Sequence, residues 1–210
     1  MKNLRVFLFC DMQKTSLEEL YQNYILANQT VCTDTRNLVK GSMFFALKGE
    51  KFDANTFADN ALAQGCRFAV VDDKKYANKP NIILVENTLS ALQQLANYHR
   101  RKFSIPFLGI TGSNGKTIVK EWLNFLFSPD YNIIRSPKSY NSQVGVPLSV
   151  LAINEQHNLG VFEAGISTVS EMKKLEKIIK PTIGILTSIG SAHDEGFENL
   201  ETKIKEKMLL

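Results

Sequence analysis

The sequence predicts an α/β protein made of two units in which strands and helices alternate. Short runs rich in β-branched and aromatic residues alternate with stretches whose apolar residues recur at helical spacing. In the second unit, a strand-like run at 107–111 leads directly into a glycine-rich turn and a helical pattern. Ser104-Ile105-Pro106 breaks the preceding helix. We therefore expect a first domain at 1–103 and a second domain at 104–210.

The first unit is predicted to contain three helices and three strands. Ser16 is placed to cap the first helix, whose first turn carries Glu18 and Glu19. The second helix ends at Gly65, and the third begins at Asn87 or Thr88 and ends in a basic stretch. The apolar positions of the helices are Leu17, Leu20, Tyr21, Tyr24 and Ile25, then Phe57, Ala58, Ala61 and Leu62, then Leu89, Leu92, Leu95 and Ala96; the strands are 43–47, 68–71 and 82–85.

The second unit is predicted to pair its strands in parallel, because helices separate them in the sequence. Strands are expected at 107–111, 133–134, 161–163 and 183–188, and helices at 121–127 and 171–179. Residues 199–210 have helical character but stop at Met208-Leu209-Leu210 without a helix stop signal. We therefore expect a chain that ends inside an element and a truncated protein.

Composition excludes several classes of protein. With 44% hydrophobic and 22% charged residues, the 210-residue chain can bury a core and is not disordered. No apolar run approaches the ~18 residues of a membrane span, and Val6 to Phe9 is too short for a signal peptide, so we expect no membrane span and a cytoplasmic location.

Three widely spaced cysteines, Cys10, Cys32 and Cys66, indicate buried thiols rather than disulfides or zinc. The net charge of +4 suits a small anionic ligand and does not indicate nucleic acid.

The glycine-rich turn after residue 107 is typical of a phosphate-binding loop. Glycines let backbone N–H groups approach phosphates, the helix N-terminus adds positive potential, Lys116 supplies a cation, and the Thr117 hydroxyl can ligate magnesium. The usual pattern has glycine where this chain has Ile110, so the loop is a variant; the competing interpretation is an ordinary glycine-rich connection. The candidate nucleotide-binding residues are Thr111, Gly112, Ser113, Asn114, Gly115, Lys116 and Thr117.

This loop resembles the corresponding loop of the Mur ligases, which add amino acids or a dipeptide to the peptidoglycan precursor at the expense of ATP. Further stretches of the chain also resemble Mur ligase sequences, and they occur in the same order. In the second unit the matching stretches are Asn141–Pro147, Phe162–Gly165 and Ser188–His193. In the first unit, Thr33–Arg36, Gly41–Gly49, Asp53–Asn55 and Ala69–Asp72 are similar to the uridine-nucleotide-binding domain of members acting on UDP-muramoyl-peptides.

The resemblance implies a small N-terminal α/β uridine-nucleotide-binding domain and a truncated, mostly parallel α/β ATPase domain of the P-loop type. SPKSYNSQVGVPLSVL and FEAGIS are most similar to members that join D-alanyl-D-alanine to UDP-N-acetylmuramoyl-tripeptide. The implied cofactors are ATP and Mg²⁺, and the implied chemistry is an acyl phosphate displaced by an amine. The family's third domain and the rest of the central domain are absent, so we expect the piece alone to be inactive.

Residue roles in the second unit follow from the resemblance and from side-chain chemistry. Glu163 ends a predicted strand, where a carboxylate can complete a magnesium shell begun by Thr117; the alternative is a solvated glutamate. The resemblance places His193, together with Glu163 and a carbamylated Lys207, at a second magnesium. Lys205 is the alternative carbamate position, and a solvated basic run at 203–207 is the competing interpretation.

Three further polar residues complete the predictions. The resemblance places Asn141 near the nucleotide and the second metal. His99 and His157 have no such context, and we expect both to be structural.

Substrate-binding positions are implied in the first unit. Thr35 and Arg36 match positions that contact or support the uridine nucleotide, and Gly49, Glu50 and Lys51 match a loop near the uracil and diphosphate. The alternative is that Asp34 and Arg36 merely pair to fix a turn.

Three rival functions remain open. One is a ligase of the same family that adds the third amino acid, and another is a folylpolyglutamate synthase, which the TDTR and FFALKG stretches disfavour. The third is a nucleotide-binding module without ligase chemistry, which Glu163 and His193 in family order disfavour.

Overall fold

The structure is a computed structural model that describes residues 15–49, 52–190 and 196–210. It contains two four-stranded parallel sheets flanked by helices and one two-stranded antiparallel ribbon. The α/β fold expected from the alternation is confirmed. In the described part of the chain, none of the helices combines the length and apolar character of a membrane-spanning helix.

The first sheet has the strand order β1-β2-β5-β6, and the ribbon pairs β3 with β4. The strands are β1 Val31–Cys32, β2 Met43–Phe45, β3 Lys48–Gly49, β4 Phe52–Asp53, β5 Phe68–Val71 and β6 Ile82–Leu84. The helices are α1 Leu17–Leu26, α2 Ala58–Ala63 and α3 Thr88–Arg100, with short 3₁₀ helices at Ala54–Phe57 and Lys74–Tyr76.

Both predicted N-caps are present. Ser16 and Glu19 form a reciprocal capping box, in which the Ser16 hydroxyl accepts from the Glu19 backbone N–H at 3.3 Å and the Glu19 carboxylate accepts from Ser16 N–H at 3.0 Å. The Asn87 side chain accepts from Ser90 N–H at 2.8 Å and caps α3.

The second sheet has the strand order β10-β7-β9-β8. Its strands are β7 Phe107–Thr111, β8 Ile133–Arg135, β9 Leu159–Glu163 and β10 Ile183–Leu186. The helices are α4 Lys116–Phe127, α5 Gly145–Leu151, α6 Glu171–Ile179 and α7 Leu200–Lys207. Because all four strands are parallel, their carboxyl ends meet at one edge, the place where open α/β sheets bind ligands.

Several element boundaries differ from the sequence predictions. Helix α4 begins at Lys116 rather than residue 121, because Gly115 adopts a left-handed conformation that turns the chain into the helix. Strand β10 ends at Leu186 rather than Ser188, because the next residues fold onto the glycine-rich loop. Helix α5 was not predicted; Pro147 lies in its first turn, where a helix does not need the missing N–H.

One apolar core continues across the predicted boundary at residue 103. Helix α3 packs against α5 and α6, and Leu92 and Leu95 share a cluster with Val146 and Val150. The division into two domains therefore stays a prediction, and the interface between its two halves is apolar and buried.

Polar side chains also join the two halves. His99 Nε2 lies 2.9 Å from Ile153 O and Nδ1 lies 3.3 Å from Tyr21 Oη, so a neutral ring donates to the carbonyl and accepts from the hydroxyl. Burial lowers the pKa of His99, which favours that neutral ring. Arg100 donates to Ile179 O at 2.7 Å and lies 3.4 Å over the centre of the Phe107 ring. The structural role expected for His99 is confirmed.

The cysteines that the structure describes, Cys32 and Cys66, are buried free thiols, as predicted. Cys10 lies outside the described residues. His157 is also engaged locally, since its Nδ1 accepts from Asn154 N–H at 3.1 Å.

Candidate functional site

The glycine-rich loop leaves β7 and enters α4 at the carboxyl edge of the second sheet. Gly112 and Gly115 have φ values of +144° and +84°, which residues other than glycine rarely adopt. A Cβ on Gly112 would lie 2.0 Å from Thr187 Oγ1, so the loop needs glycine there for space as well as for conformation. The strand, turn and helix of the predicted phosphate loop are all present.

The segment after β10 holds this loop in place. Ser113 N–H donates to Ser188 O at 2.7 Å, and Asn114 N–H donates to Ser188 Oγ at 3.1 Å. The Ser113 hydroxyl donates to Gly190 O and accepts from Gly190 N–H, both at 3.0 Å. Because β10 pairs in parallel with β7, both loops leave the sheet at the same edge. Thr187 Oγ1 also donates to Thr111 O at 3.2 Å. This supporting role was not foreseen from the sequence, because Thr187 lies inside the strand predicted at 183–188.

Lys116 folds back over its own loop. Its Nζ donates to Gly112 O at 2.7 Å, and burial lowers its pKa, an effect that the negative charge of Glu163 partly offsets. Among the residues that the structure describes, the ammonium has only backbone carbonyls as hydrogen-bond partners, Gly112 O and Ser113 O. Charged acceptors form stronger hydrogen bonds than carbonyls do.

Glu163 ends β9 beside the loop, opposite Ile110 of β7. Its side chain is fully buried, so the alternative of a solvated glutamate is wrong. Thr117 Oγ1 donates to Glu163 Oε2 at 3.1 Å and lies 3.2 Å from Ser139 Oγ. The two magnesium ligands expected from the sequence are therefore adjacent.

Lys120 is a residue of this site that sequence reasoning missed. Its side chain is fully buried, and its Nζ lies 3.0 Å from Glu163 Oε1. Its position three residues after Thr117 puts both side chains on one face of α4. That spacing was the only available signal.

The donor set at Glu163 is compatible with a divalent cation. Hydroxyl and carboxylate oxygens are the ligands that Mg²⁺ prefers. Among the described residues, Glu163 Oε1 accepts no hydrogen bond although it is buried. A cluster of three or more acidic, histidine or cysteine side chains does not occur in the described ranges, and His193 lies outside them.

Lys207 lies at a cavity of about 310 Å³ that the loop also lines. Burial, and then the positive charges of Lys116 and Lys203, lower the pKa of Lys207 to about 8. By contrast, Lys205 is exposed and pairs with Glu201 at 2.6 Å. The expectation of a solvated basic run is wrong for Lys203 and Lys207, which are 1% and 3% exposed.

Asn141 lies at the same cavity as Lys207. Its backbone carbonyl accepts from Gly165 N–H at 2.8 Å. A Cβ on Gly165 would lie 2.8 Å from Asn141 Oδ1, so the glycine allows the asparagine side chain to approach the end of β9.

In the first unit, Arg36 pairs with Asp34. The guanidinium donates through Nε at 2.9 Å and through Nη2 at 2.6 Å, and these hydrogen bonds hold the pKa of Asp34 down at about 2. The pairing that the turn alternative requires is present, while Arg36 stays largely exposed and Thr35 is half-buried. Gly49 ends β3. Two candidate residues, Glu50 and Lys51, lie outside the described residues.

A second cavity, of about 450 Å³, connects the two units. Thr33, Asp34 and Asn37 line it from the first unit, and Tyr140 and Ala152 line it from the second. Since Tyr140 precedes Asn141, the 140–141 segment lies between this cavity and the one beside the glycine-rich loop.

Comparison with known protein families shows the family to which this chain belongs. The Mur ligase middle domain matches residues 110–210, and the Mur ligase family catalytic domain matches residues 29–100. The chain belongs to the Mur ligase family. The resemblance drawn from the loop and its companion stretches is thereby confirmed.

Individual Mur ligases show how much of the chain is shared. A UDP-N-acetylmuramoyl-tripeptide--D-alanyl-D-alanine ligase of Synechocystis is 37% identical over 195 residues, which make up 91% of this chain and 42% of that enzyme. The crystal structure of MurF from Acinetobacter baumannii has a TM-score of 0.81 at 29% identity, covering 90% of this chain and 45% of that one.

A MurF ligase from Thermotoga maritima, solved in complex with ADP, has a TM-score of 0.80 at 32% identity over 88% of this chain and 43% of that one. This Mur ligase chain therefore spans less than half the length of the relatives it matches.

Proposed function

We propose that this chain forms the UDP-muramoyl-peptide-binding and ATP-binding parts of a ligase that joins D-alanyl-D-alanine to UDP-N-acetylmuramoyl-tripeptide. The observation that carries the proposal is the contact between Thr117 of the glycine-rich loop and the buried Glu163, 3.1 Å apart. This contact supports the proposal, because a phosphate loop needs a hydroxyl and a carboxylate oxygen as magnesium ligands. The names of the relatives compared above support the choice of D-alanyl-D-alanine over a third amino acid.

The proposed nucleotide site works by positioning and by charge. Residues 111–117 would hold the ATP phosphates through backbone N–H groups, with Lys116 as the cation and Asn141 near the nucleotide. Thr117 and Glu163 would hold one Mg²⁺, and Glu163, His193 and Lys207 a second. When bound, magnesium neutralises phosphate charge and favours transfer of the γ-phosphoryl group.

The proposed reaction has two steps. A carboxylate oxygen of the muramoyl-tripeptide attacks the γ-phosphorus of ATP, the bond to the β-phosphate oxygen breaks, and ADP leaves. The amine of D-alanyl-D-alanine then attacks the acyl phosphate carbon, loses a proton and expels phosphate. The cationic groups Lys116 and Arg36 would offset the negative charge of the two nucleotides.

Lys207 is the proposed carbamate residue. With a pKa lowered to about 8, a larger fraction of its amine is neutral at physiological pH than for an ordinary lysine. The neutral amine attacks carbon dioxide, loses a proton and becomes an oxygen-donor anion. The exposed Lys205 has no comparable environment.

Substrate binding in the first unit is assigned to five residues. They are Thr35, Arg36, Gly49, Glu50 and Lys51. The cavity lined by Asp34 and Tyr140 would be the route from these residues toward the nucleotide site. Because the proposed substrates include ATP and a nucleotide-linked precursor, we propose a cytoplasmic site of action.

Calorimetric titration of the 210-residue chain with ATP and Mg²⁺ tests the nucleotide site. Lys116→Met should weaken binding on the order of 10- to 100-fold, because it removes a charge-assisted contact to phosphate. Lys205→Met is the matched control, since it removes the same charge from an exposed helix face. Equal affinities for both variants and the unsubstituted chain would mean that the loop is not the nucleotide site.

A further inference from the structure

We propose that Lys120 is a positioning residue of the candidate magnesium site. It serves as a built-in counter-ion that fixes the direction of the Glu163 carboxylate. This inference rests on the proposed function, because it concerns how the site receives a metal-bound nucleotide. It assigns a role to a lysine outside the glycine-rich loop.

The first observation is the burial of both charges. Lys120 and Glu163 have side chains with 0% exposure, and their charged atoms are 3.0 Å apart. A buried ion pair contributes little net stability compared with an apolar pair of the same volume, because both charges lose their hydration. Packing alone therefore does not explain a lysine at this position.

The second observation is how the Lys120 ammonium uses its hydrogen atoms. Nζ donates to Ser136 O at 2.9 Å and to Lys138 O. Glu163 Oε1 thus receives the charge of the ammonium without a hydrogen bond from any described residue. The contact between Lys120 Nζ and Glu163 Oε1 is therefore that of a buried ion pair.

The third observation is that Ser136 connects the two partners. Its carbonyl accepts from Lys120, and its hydroxyl accepts from Glu163 N–H at 3.0 Å. Ser136 is itself fully buried. The end of β8 therefore fixes the ammonium and the backbone of Glu163 relative to each other.

The two carboxylate oxygens consequently have different surroundings. Oε1 faces Lys120 in the interior, and Oε2 faces Thr117, the residue of the glycine-rich loop that would share a metal with it. Without Lys120, the carboxylate would lose the charge that holds Oε1 inward. It would then turn toward solvent or toward the nearest remaining cation, and Oε2 would no longer be directed at Thr117.

The experiment compares nucleotide binding with and without metal in the 210-residue chain. ATP is titrated into Lys120→Met, into Glu121→Gln and into the unsubstituted chain, once with Mg²⁺ and once with EDTA. Glu121 is the matched control, because its Oε1 also pairs with Lys120 Nζ, at 3.1 Å, but its side chain is 46% exposed and its Oε2 pairs with Arg135. For Lys120→Met we expect the metal-dependent gain in affinity to fall about 10-fold or more, with metal-free affinity nearly unchanged.

A change in folding has a different signature, which melting curves detect. Lys120→Met leaves Glu163 as an unpaired buried charge, so the variant should melt lower than the unsubstituted chain. Lys120→Met combined with Glu163→Gln removes both charges and should melt higher than Lys120→Met alone, which is a coupling that independent residues do not show. The double variant also keeps the test decisive if Lys120→Met does not fold.

Each result bears on the inference. Loss of the metal-dependent gain, together with coupled melting, supports Lys120 as a positioning residue. An unchanged metal-dependent gain in Lys120→Met, or additive melting shifts, overturns it while leaving the proposed function intact. If the unsubstituted chain does not bind ATP with or without Mg²⁺, the proposed function fails and the inference fails with it.

Discussion

The carboxyl edges of the two sheets differ in how their buried polar groups are paired. In the first sheet, Asp72 follows β5 and accepts hydrogen bonds from Asn55 at 2.9 Å and from Thr88 N–H at 3.2 Å, with Lys48 Nζ at 2.8 Å. In the second sheet, Glu163 Oε1 and Thr111 Oγ1 are buried without a hydrogen-bond partner among the described residues.

Charge balance differs in the same way. Burial alone would raise the pKa of Asp72, but hydrogen bonds from Lys48, Asn55 and Thr88 outweigh it and hold the pKa below its ordinary value. At the other edge, burial lowers the pKa of both Lys116 and Lys207, and the positive charge of Lys116 lowers the pKa of Lys207 further. The first edge contributes to stability, whereas the second is the one that, under the proposed function, would bind an anion and its metal.

The largest expected effect comes from breaking the satisfied edge. Asp72→Ala leaves Asn55 and Lys48 without their shared acceptor, and we expect a loss of about 3 kcal/mol in the free energy of unfolding. Urea denaturation measures it. Under conditions in which Asp72→Ala is folded, its affinity for ATP should equal that of the unsubstituted chain. A loss of ATP binding as large as that of Lys116→Met would contradict the claim that the two sheet edges have different roles.

The second effect concerns the glycine-rich loop. Gly112→Ala introduces a Cβ that would lie 2.0 Å from Thr187 Oγ1, so the loop must move away from the segment that supports it. We expect ATP affinity to fall about 10-fold or more with a stability loss of about 1–2 kcal/mol. Gly49→Ala is the control, because a Cβ there meets nothing within 4 Å. Equal ATP affinities for the two variants would show that loop geometry is not limiting.

A third effect is the pH dependence caused by Lys207. Its pKa is lowered from 10.5 to about 8 on folding, so the unfolded chain binds more protons between these values and the stability of the unsubstituted chain should rise with pH across that window. Below pH 8 the burial of the charged Lys207 ammonium lowers the free energy of unfolding by its full amount. Lys207→Met should therefore raise Tm at pH 7–8 in buffer free of carbon dioxide, and the gain should shrink toward pH 10.5. A gain independent of pH would indicate a packing effect instead.

The smallest effect is expected at Arg36. The pair with Asp34 is exposed, and such pairs contribute little to stability. Arg36→Ala should leave Tm unchanged while weakening binding of UDP, the nucleotide part of the proposed precursor, as measured by calorimetry. A variant with a lowered Tm and unchanged UDP affinity would favour the turn-fixing role.

Local patterns predicted most of the fold and the loop. The capped helices α1 and α3 and the strand–turn–helix around Gly112 depend on residues close in sequence, and they appear as expected. Helix α5 was missed because glycine, proline and serine lower its helix propensity, whereas buried apolar contacts stabilise it. Strand β1 has only two residues, too few for an alternation to be visible.

The site was only partly predictable for a related reason. Thr117 and Glu163 follow recognisable strand and loop patterns, but their contact depends on β7 and β9 being neighbours in the sheet. Lys120 and Thr187 act through residues distant in sequence, and only the three-residue spacing of Lys120 from Thr117 gave a local indication. Sequence alone could not separate Lys207 from Lys205, because only the packing of α7 against α6 buries one and exposes the other.

Hydrogen exchange with and without ATP and Mg²⁺ tests the difference between the two edges most directly. Peptides containing residues 111–117 and 163–165 should become protected when the nucleotide binds, because the loop N–H groups would hold its phosphates. The Asp72 network in the first unit should exchange at the same rate in both conditions. Protection at Asp72 or at residues 33–37 with none in the glycine-rich loop would contradict the account.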